Sequence, residues 1–194
     1  MSGKTASMDR ASILLVDDME DNLVALESVL ASLEEPLVRA RSGEEAVRAL
    51  QGQPFAVVLL DVRMPGMDGF ETASRIKRLD QAKDTPIIFL NGPDSDGGYA
   101  FRGYAAGAAD FLTKPFDPWM LRAKVSVFLD LHRKNRQLEL ALAREQEQLA
   151  LIADRLSSIE DALRRDTPND LAVLGHQLAT IEDTLAGLRS GRGR

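Results

Sequence analysis

Short, unbroken apolar runs alternate with amphipathic stretches through the first 131 residues, and each run stops on a polar side chain. That alternation narrows the fold more than any other feature of the chain. Ile13-Leu14-Leu15-Val16 stops at Asp17-Asp18, and a helical pattern of Leu23, Leu26, Val29, Leu30 and Leu33 follows. Leu37-Val38 reads as a short strand. Ser42-Gly43-Glu44-Glu45 is a capping box, in which the serine and the glutamate three residues on satisfy free donors at a helix start. Phe55 to Leu60 is a continuous apolar strand ending at Asp61. Pro65-Gly66 and Asp68-Gly69 mark a turn, before a helix from about Phe70 to Leu79. Ile87 to Leu90 is a fourth strand, ending at Asn91. After it come a polar loop, Gly92 to Gly98, and a helix of small residues leading to Gly107. A fifth strand, Ala109 to Leu112, precedes Lys114-Pro115.

Strands that are apolar throughout are buried on both faces, so five such units imply an α/β fold with a parallel sheet covered on both sides. Open sheets of this kind bind ligands beyond the carboxyl ends of their strands. The residues placed there are Asp17-Asp18, Asp61, Asn91 and Lys114. Three carboxylates and a lysine suit phosphoryl transfer, which depends mainly on positioning and charge neutralisation. A carboxylate can be the nucleophile and become an acyl phosphate. The incoming phosphoryl group meets carboxylates that repel it, so a divalent cation is expected among them. Mg2+ suits one or two carboxylates plus phosphate oxygens and water. Any one of these aspartates alone would be an ordinary solvated strand end.

In combination they are specific. Ile13-Leu14-Leu15-Val16-Asp17-Asp18, Asp61-Val62-Arg63-Met64-Pro65-Gly66-Met67-Asp68-Gly69 and Lys114-Pro115-Phe116 resemble the response-regulator receiver family over roughly residues 10–131. The resemblance implies a flavodoxin-like, doubly wound sheet of strand order 2-1-3-4-5. It makes Asp61 the phosphoacceptor and Lys114 the phosphoryl contact. Asp17, Asp18, Asp61 and the backbone carbonyl of Arg63 become the Mg2+ ligands, with a histidine kinase as phosphodonor. Two positions depart from the family pattern. Asn91 stands where Ser or Thr is usual, followed by Gly92 where Ala is common, and Phe111 stands where many members have Tyr. An asparagine amide can still donate to a phosphate oxygen, with a different reach. Phe111 fits an aromatic switch and an ordinary core position equally well.

Other chemistries find little support. Cysteine is absent, which removes disulfides and thiolate metal sites and fits a cytoplasmic location. His132 and His176 are too far apart in sequence for a zinc motif, and no P-loop occurs. No apolar stretch is long enough for a membrane span, and Met1–Arg10 lacks the apolar core of a signal peptide. The net charge of −6 falls entirely on residues 1–131, since residues 132–194 hold 10 basic and 10 acidic side chains. Neither part has the basic excess of a nucleic-acid partner.

From Pro118 the period becomes helical. Phe128, Leu131, Asn135, Leu138, Leu142, Glu145, Leu149, Ile152, Leu156, Ile159 and Leu163 keep a strict three-four spacing, the seam of a coiled coil. Asn135 at an a position favours a parallel dimer, and Lys134–Glu139 and Arg155–Glu160 suit that orientation across two chains. Asp166-Thr167-Pro168 breaks the helix. A second helix with seam Leu171, Leu174, Leu178, Ile181, Leu185 and Leu188 is out of phase with the first, so it is expected to fold back.

The expected organisation is a disordered tail (1–10), a receiver (11–131), a coiled-coil helix continuing the fifth receiver helix (132–165), a second tail helix (168–189) and a frayed end (190–194). The expected function is that of a non-enzymatic signalling protein, catalysing only its own phosphorylation and dephosphorylation. It would signal through dimerisation or an unidentified downstream protein, with no nucleic acid or membrane partner. Two rivals are a pseudo-receiver scaffold, for which Asn91 is the clue, and a phosphorelay intermediate using His176. A surface histidine is the simpler reading of His176.

Overall fold

The structure, a computed structural model, describes residues 11–92, 107–165 and 179–181, with side chains to residue 161 in the second stretch. Several expected features lie outside the described residues. These are the N-terminal tail, the polar loop beyond Gly92, the helix of small residues before Gly107, the break at Asp166, His176 and all but three residues of the second tail helix.

The elements are β1 (Ile13–Val16), α1 (Glu20–Leu30), β2 (Leu37–Ala40), α2 (Gly43–Gly52), β3 (Val57–Asp61), α3 (Gly69–Ile76), β4 (Ile87–Asn91), β5 (Asp110–Thr113) and α4 (Pro118–Arg165). The helix called α4 is the one the sequence counts as fifth. All strand pairs are parallel, in the order β2-β1-β3-β4-β5. This is the flavodoxin-like sheet expected of the sequence. β3 starts at Val57, two residues later than the apolar run: Phe55 and Ala56 are buried ahead of the first register pair, Ile13 with Val57, and the Ala56 N–H donates to the Ser12 carbonyl (2.8 Å).

Alternate strand residues serve opposite faces. Leu14, Val16, Val58, Leu60 and Phe89 pack with Ala46 and Leu50 of α2 and with Phe70, Ala73 and Ile76 of α3. Ile13, Leu15, Val57, Leu59, Ile88 and Leu90 pack with Leu23, Leu26 and Leu30 of α1 and with Leu121, Val125 and Leu129 of α4. Each fully buried aliphatic side chain contributes about 1.5–3 kcal/mol relative to exposure. The strands are therefore committed to the core, and only their ends remain for chemistry. The capping box forms with a shift of one residue: Ser42 Oγ accepts from the Glu45 N–H (3.2 Å), while Glu45 reaches back to the Arg41 N–H (2.7 Å).

The chain divides into two compact units, residues 1–133 and 134–194. In the second unit Ile181 is buried against Ile159, with Ile152 partly buried beside them. This joins one seam residue of the second tail helix to two of α4. On the same seam Leu138, Leu142 and Leu149, and Leu156 between the two isoleucines of α4, are 48–59% exposed. No described helix is long and apolar enough to cross a membrane.

Candidate functional site

Val16 of β1 pairs in register with Leu60 of β3, so Asp17 and Asp61 leave adjacent strands side by side. Asp61 in turn pairs with Leu90 of β4. The chain after β5 is tied to β4 by a bond from the Lys114 N–H to the Asn91 carbonyl (2.6 Å). Lys114 and its neighbour Pro115 are joined by a cis peptide bond. From there Lys114 Nζ donates to Asp17 Oδ2 and to Asp61 Oδ1, at 2.7 Å each. Groups 97 and 53 positions apart in sequence thus share one charge-assisted contact. Both carboxylates are buried, Asp17 at 1% and Asp61 at 8% exposure.

The rest of the Asp61 motif closes onto the strand end. Asp61 Oδ2 accepts from the Arg63 N–H (2.8 Å). Gly69 N–H donates to the Val62 carbonyl (3.0 Å), and Asp68 caps α3 by accepting from the Glu71 N–H (2.8 Å). A Cβ on Gly69 would lie 2.3 Å from the Asp61 carbonyl oxygen, so this turn closes only over glycine. Gly66 adopts φ 77°, the left-handed region that glycine enters without strain.

Burial pushes the Asp61 carboxyl above its usual range. The hydrogen bond and charge of Lys114 pull against that shift, the charge of Asp17 adds to it, and the Arg63 N–H opposes it. Burial also works against the Lys114 charge, but the bonds to Asp17 and Asp61 and their negative charges outweigh it, and its pKa is raised. Lys114 is therefore a cation throughout the physiological range. Two buried carboxylates against one ammonium leave surplus negative charge in a site of hard oxygen donors. That donor set fits Mg2+. Among the described residues, no three acidic or histidine side chains converge as a ready-made metal cage. Asp18 is exposed at the rim, while Asp17 faces inward.

Asn91 is half-buried at the end of β4, where its carbonyl receives the Lys114 N–H. Phe111 stacks on Phe89 at 5.4 Å between ring centres, and Phe89 meets Phe70 at 5.1 Å. That row belongs to the core face shared with α3.

Two contributors escape a reading of motifs. Asn22, in the first turn of α1, donates its side-chain amide to both oxygens of Asp17, at 2.9 and 3.0 Å. The only sequence signal is an amide on the helix turn that directly follows the strand-end acids. The second is the exposed guanidinium of Arg63, which rests on Gly92: a Cβ there would lie 2.1 Å from its Nη2. The glycine in place of the family's usual alanine therefore makes room for Arg63.

The family described as the response regulator receiver domain matches residues 13–126. A probable cyclic di-GMP phosphodiesterase of Vibrio cholerae is 30% identical over 190 residues, covering 92% of this chain and 43% of that protein. The cyclic di-GMP phosphodiesterase response regulator RpfG of Xanthomonas campestris is 34% identical over 142 residues, 72% of this chain and 37% of its own. Among solved structures, the receiver domain of the sensor histidine kinase PA1611 from Pseudomonas aeruginosa, with a magnesium ion coordinated in its active-site cleft, superposes with a TM-score of 0.58. It is 29% identical and covers 62% of this chain and 98% of that one.

The chain thus spans less than half the length of these two curated relatives. Their names correct the expectation of a non-enzymatic protein: stretches similar to this one form part of proteins named as phosphodiesterases. That expectation came from the strand-end site and from the motifs this stretch of sequence lacks, and neither carries information about chemistry built elsewhere in a longer protein.

Proposed function

This chain belongs to the response regulator receiver domain family, and from that premise we propose that Asp61 accepts a phosphoryl group from a histidine kinase. The observation that carries the reading is Lys114 Nζ, 2.7 Å from both buried carboxylates. In the reaction a carboxylate oxygen of Asp61 attacks phosphorus, an O–P bond forms, and the P–N bond to the donor imidazole breaks with its electron pair leaving on nitrogen. Lys114 holds the acceptor in place and offers its charge to the phosphoryl oxygens. The Arg63 N–H fixes the other carboxylate oxygen, which orients the nucleophile. Asp17, Asp18, Asp61 and the Arg63 carbonyl would hold Mg2+, whose chemistry here is to neutralise charge on the phosphoryl oxygens. Asn91 offers an amide donor in place of the family's hydroxyl.

The test is labelling with acetyl phosphate and Mg2+. One phosphoryl group is expected on the wild type and none on Asp61→Asn. Equal labelling of both proteins would sink the assignment, and an unlabelled wild type would favour the pseudo-receiver scaffold.

Output would pass along α4, whose first turns pack on the sheet and whose continuation carries the exposed leucine seam. A parallel coiled coil of two copies would cover Leu138, Leu142 and Leu149. A second element of the reading is that this output serves cyclic di-GMP turnover. It is supported by the alignment of the Vibrio cholerae relative across receiver and tail together. Cellular cyclic di-GMP should then differ between strains expressing the wild type and Asp61→Asn; equal levels would count against it.

A further inference from the structure

We propose that Asn22 is a latch on Asp17, whose amide must let go before a divalent cation can bind there. The inference rests on the Mg2+ reading above. A carboxylate offers about four lone-pair positions. Asp17 Oδ1 accepts from the Met19 N–H (3.0 Å) and the Asn22 amide (2.9 Å). Its Oδ2 accepts from the same amide (3.0 Å) and from Lys114 (2.7 Å). The two Asn22 contacts come from one nitrogen, which bridges both oxygens across the chelating face of the carboxylate, so a cation that takes that face can do so only by displacing the amide.

The donors differ in how readily they leave. The Met19 N–H is main chain, immediately before α1, and Met19 also carries the first helical bonds, from Asn22 and Leu23. Lys114 also serves Asp61. Asn22 is half-buried and turns about two side-chain torsions, so its amide can exchange Asp17 for water. It is the donor that yields at least cost. Asn22 is thus a positioning residue: it holds the resting, lysine-paired arrangement and sets the metal concentration at which that arrangement opens.

Titration calorimetry of Mg2+ into the full chain tests this, with wild type, Asn22→Ala and Asn22→Leu. Leucine keeps the size without a donor, and alanine suits the helix interior. A hydrogen bond to a charged group, removed from the metal-free state only, should tighten Mg2+ binding by about tenfold in both variants. Both should also unfold at slightly lower temperature without Mg2+. A purely structural Asn22 would lower stability and leave Mg2+ affinity equal or weaker, and either affinity result overturns the latch. Binding by a variant where the wild type shows none supports it, and no binding by any protein overturns it. Acetyl phosphate labelling of the same samples separates the two readings. Labelled protein with unchanged affinity sinks the latch alone. Tightened affinity with no label sinks the acceptor reading alone.

Discussion

Lys114→Met removes the one charge that bridges Asp17 and Asp61 while keeping an unbranched side chain in its place. Both carboxylates are buried, and each loses its 2.7 Å partner. Breaking a buried pair by removing one member costs about 3–5 kcal/mol, because the other charge remains uncompensated. Lys114 is 26% exposed, so water softens the loss and the lower end applies, about 3 kcal/mol. For a unit of this size that lowers Tm by about 10 °C. The sign of the pH dependence follows from Asp61. Its pKa is already raised in the wild type, and Lys114 is the strongest influence holding it down. In the variant it rises further. A raised carboxyl makes the folded state less favourable above its folded pKa, and the penalty disappears below the unfolded value of about 3.9. The gap between variant and wild type should therefore be full at pH 7 and shrink as pH falls towards 4. Mg2+ should stabilise the variant more than the wild type, since it supplies the missing positive charge. Thermal unfolding across pH, with and without Mg2+, measures all three effects. A variant within about 2 °C of wild type at pH 7, or a gap that does not narrow in acid, would refute the bridge.

Gly69→Ala drives a Cβ into the backbone of Asp61 and Val62, and should cost about 2–3 kcal/mol in chemical denaturation. Gly92→Ala meets, among the described residues, the far end of the Arg63 side chain, and should cost less than about 1 kcal/mol while displacing that guanidinium, as a structure of the variant would show. Asn91→Thr restores the hydroxyl of the family pattern and should change the lifetime of the acyl phosphate, followed by loss of label. Truncation after Arg133 removes the second unit but keeps the ion pair of Arg133 with Glu35, and should leave a folded, phosphorylatable domain. Light scattering should find that domain monomeric and the full chain dimeric; a monomeric full chain at tens of micromolar, phosphorylated or not, would remove the coiled-coil dimer.

The sheet and the strand-end acids were legible in the sequence because their causes are local. A run such as Ile13–Val16, short, apolar at every position and followed by a helical pattern, reads as a strand buried on both sides, and the polar residue that ends it then lies at the sheet's carboxyl edge. The Asp61 motif was readable for the same reason, since its turn residues act within a few positions. Other features were decided by tertiary structure. Lys114 meets two aspartates from other strands only because β1, β3 and β5 are brought to one edge. Asp17 turns inward while Asp18 stays at the rim, a distinction that the pair Asp-Asp does not contain. Asn22 carries no motif, and its role exists only once α1 has packed back on β1. Ile181 could be assigned a helical seam, but its partner Ile159 was set by the chain's return on itself. Sequence patterns report each residue's periodic environment. Pairings across long separations depend on how the elements pack, because every element must bury its apolar face against another.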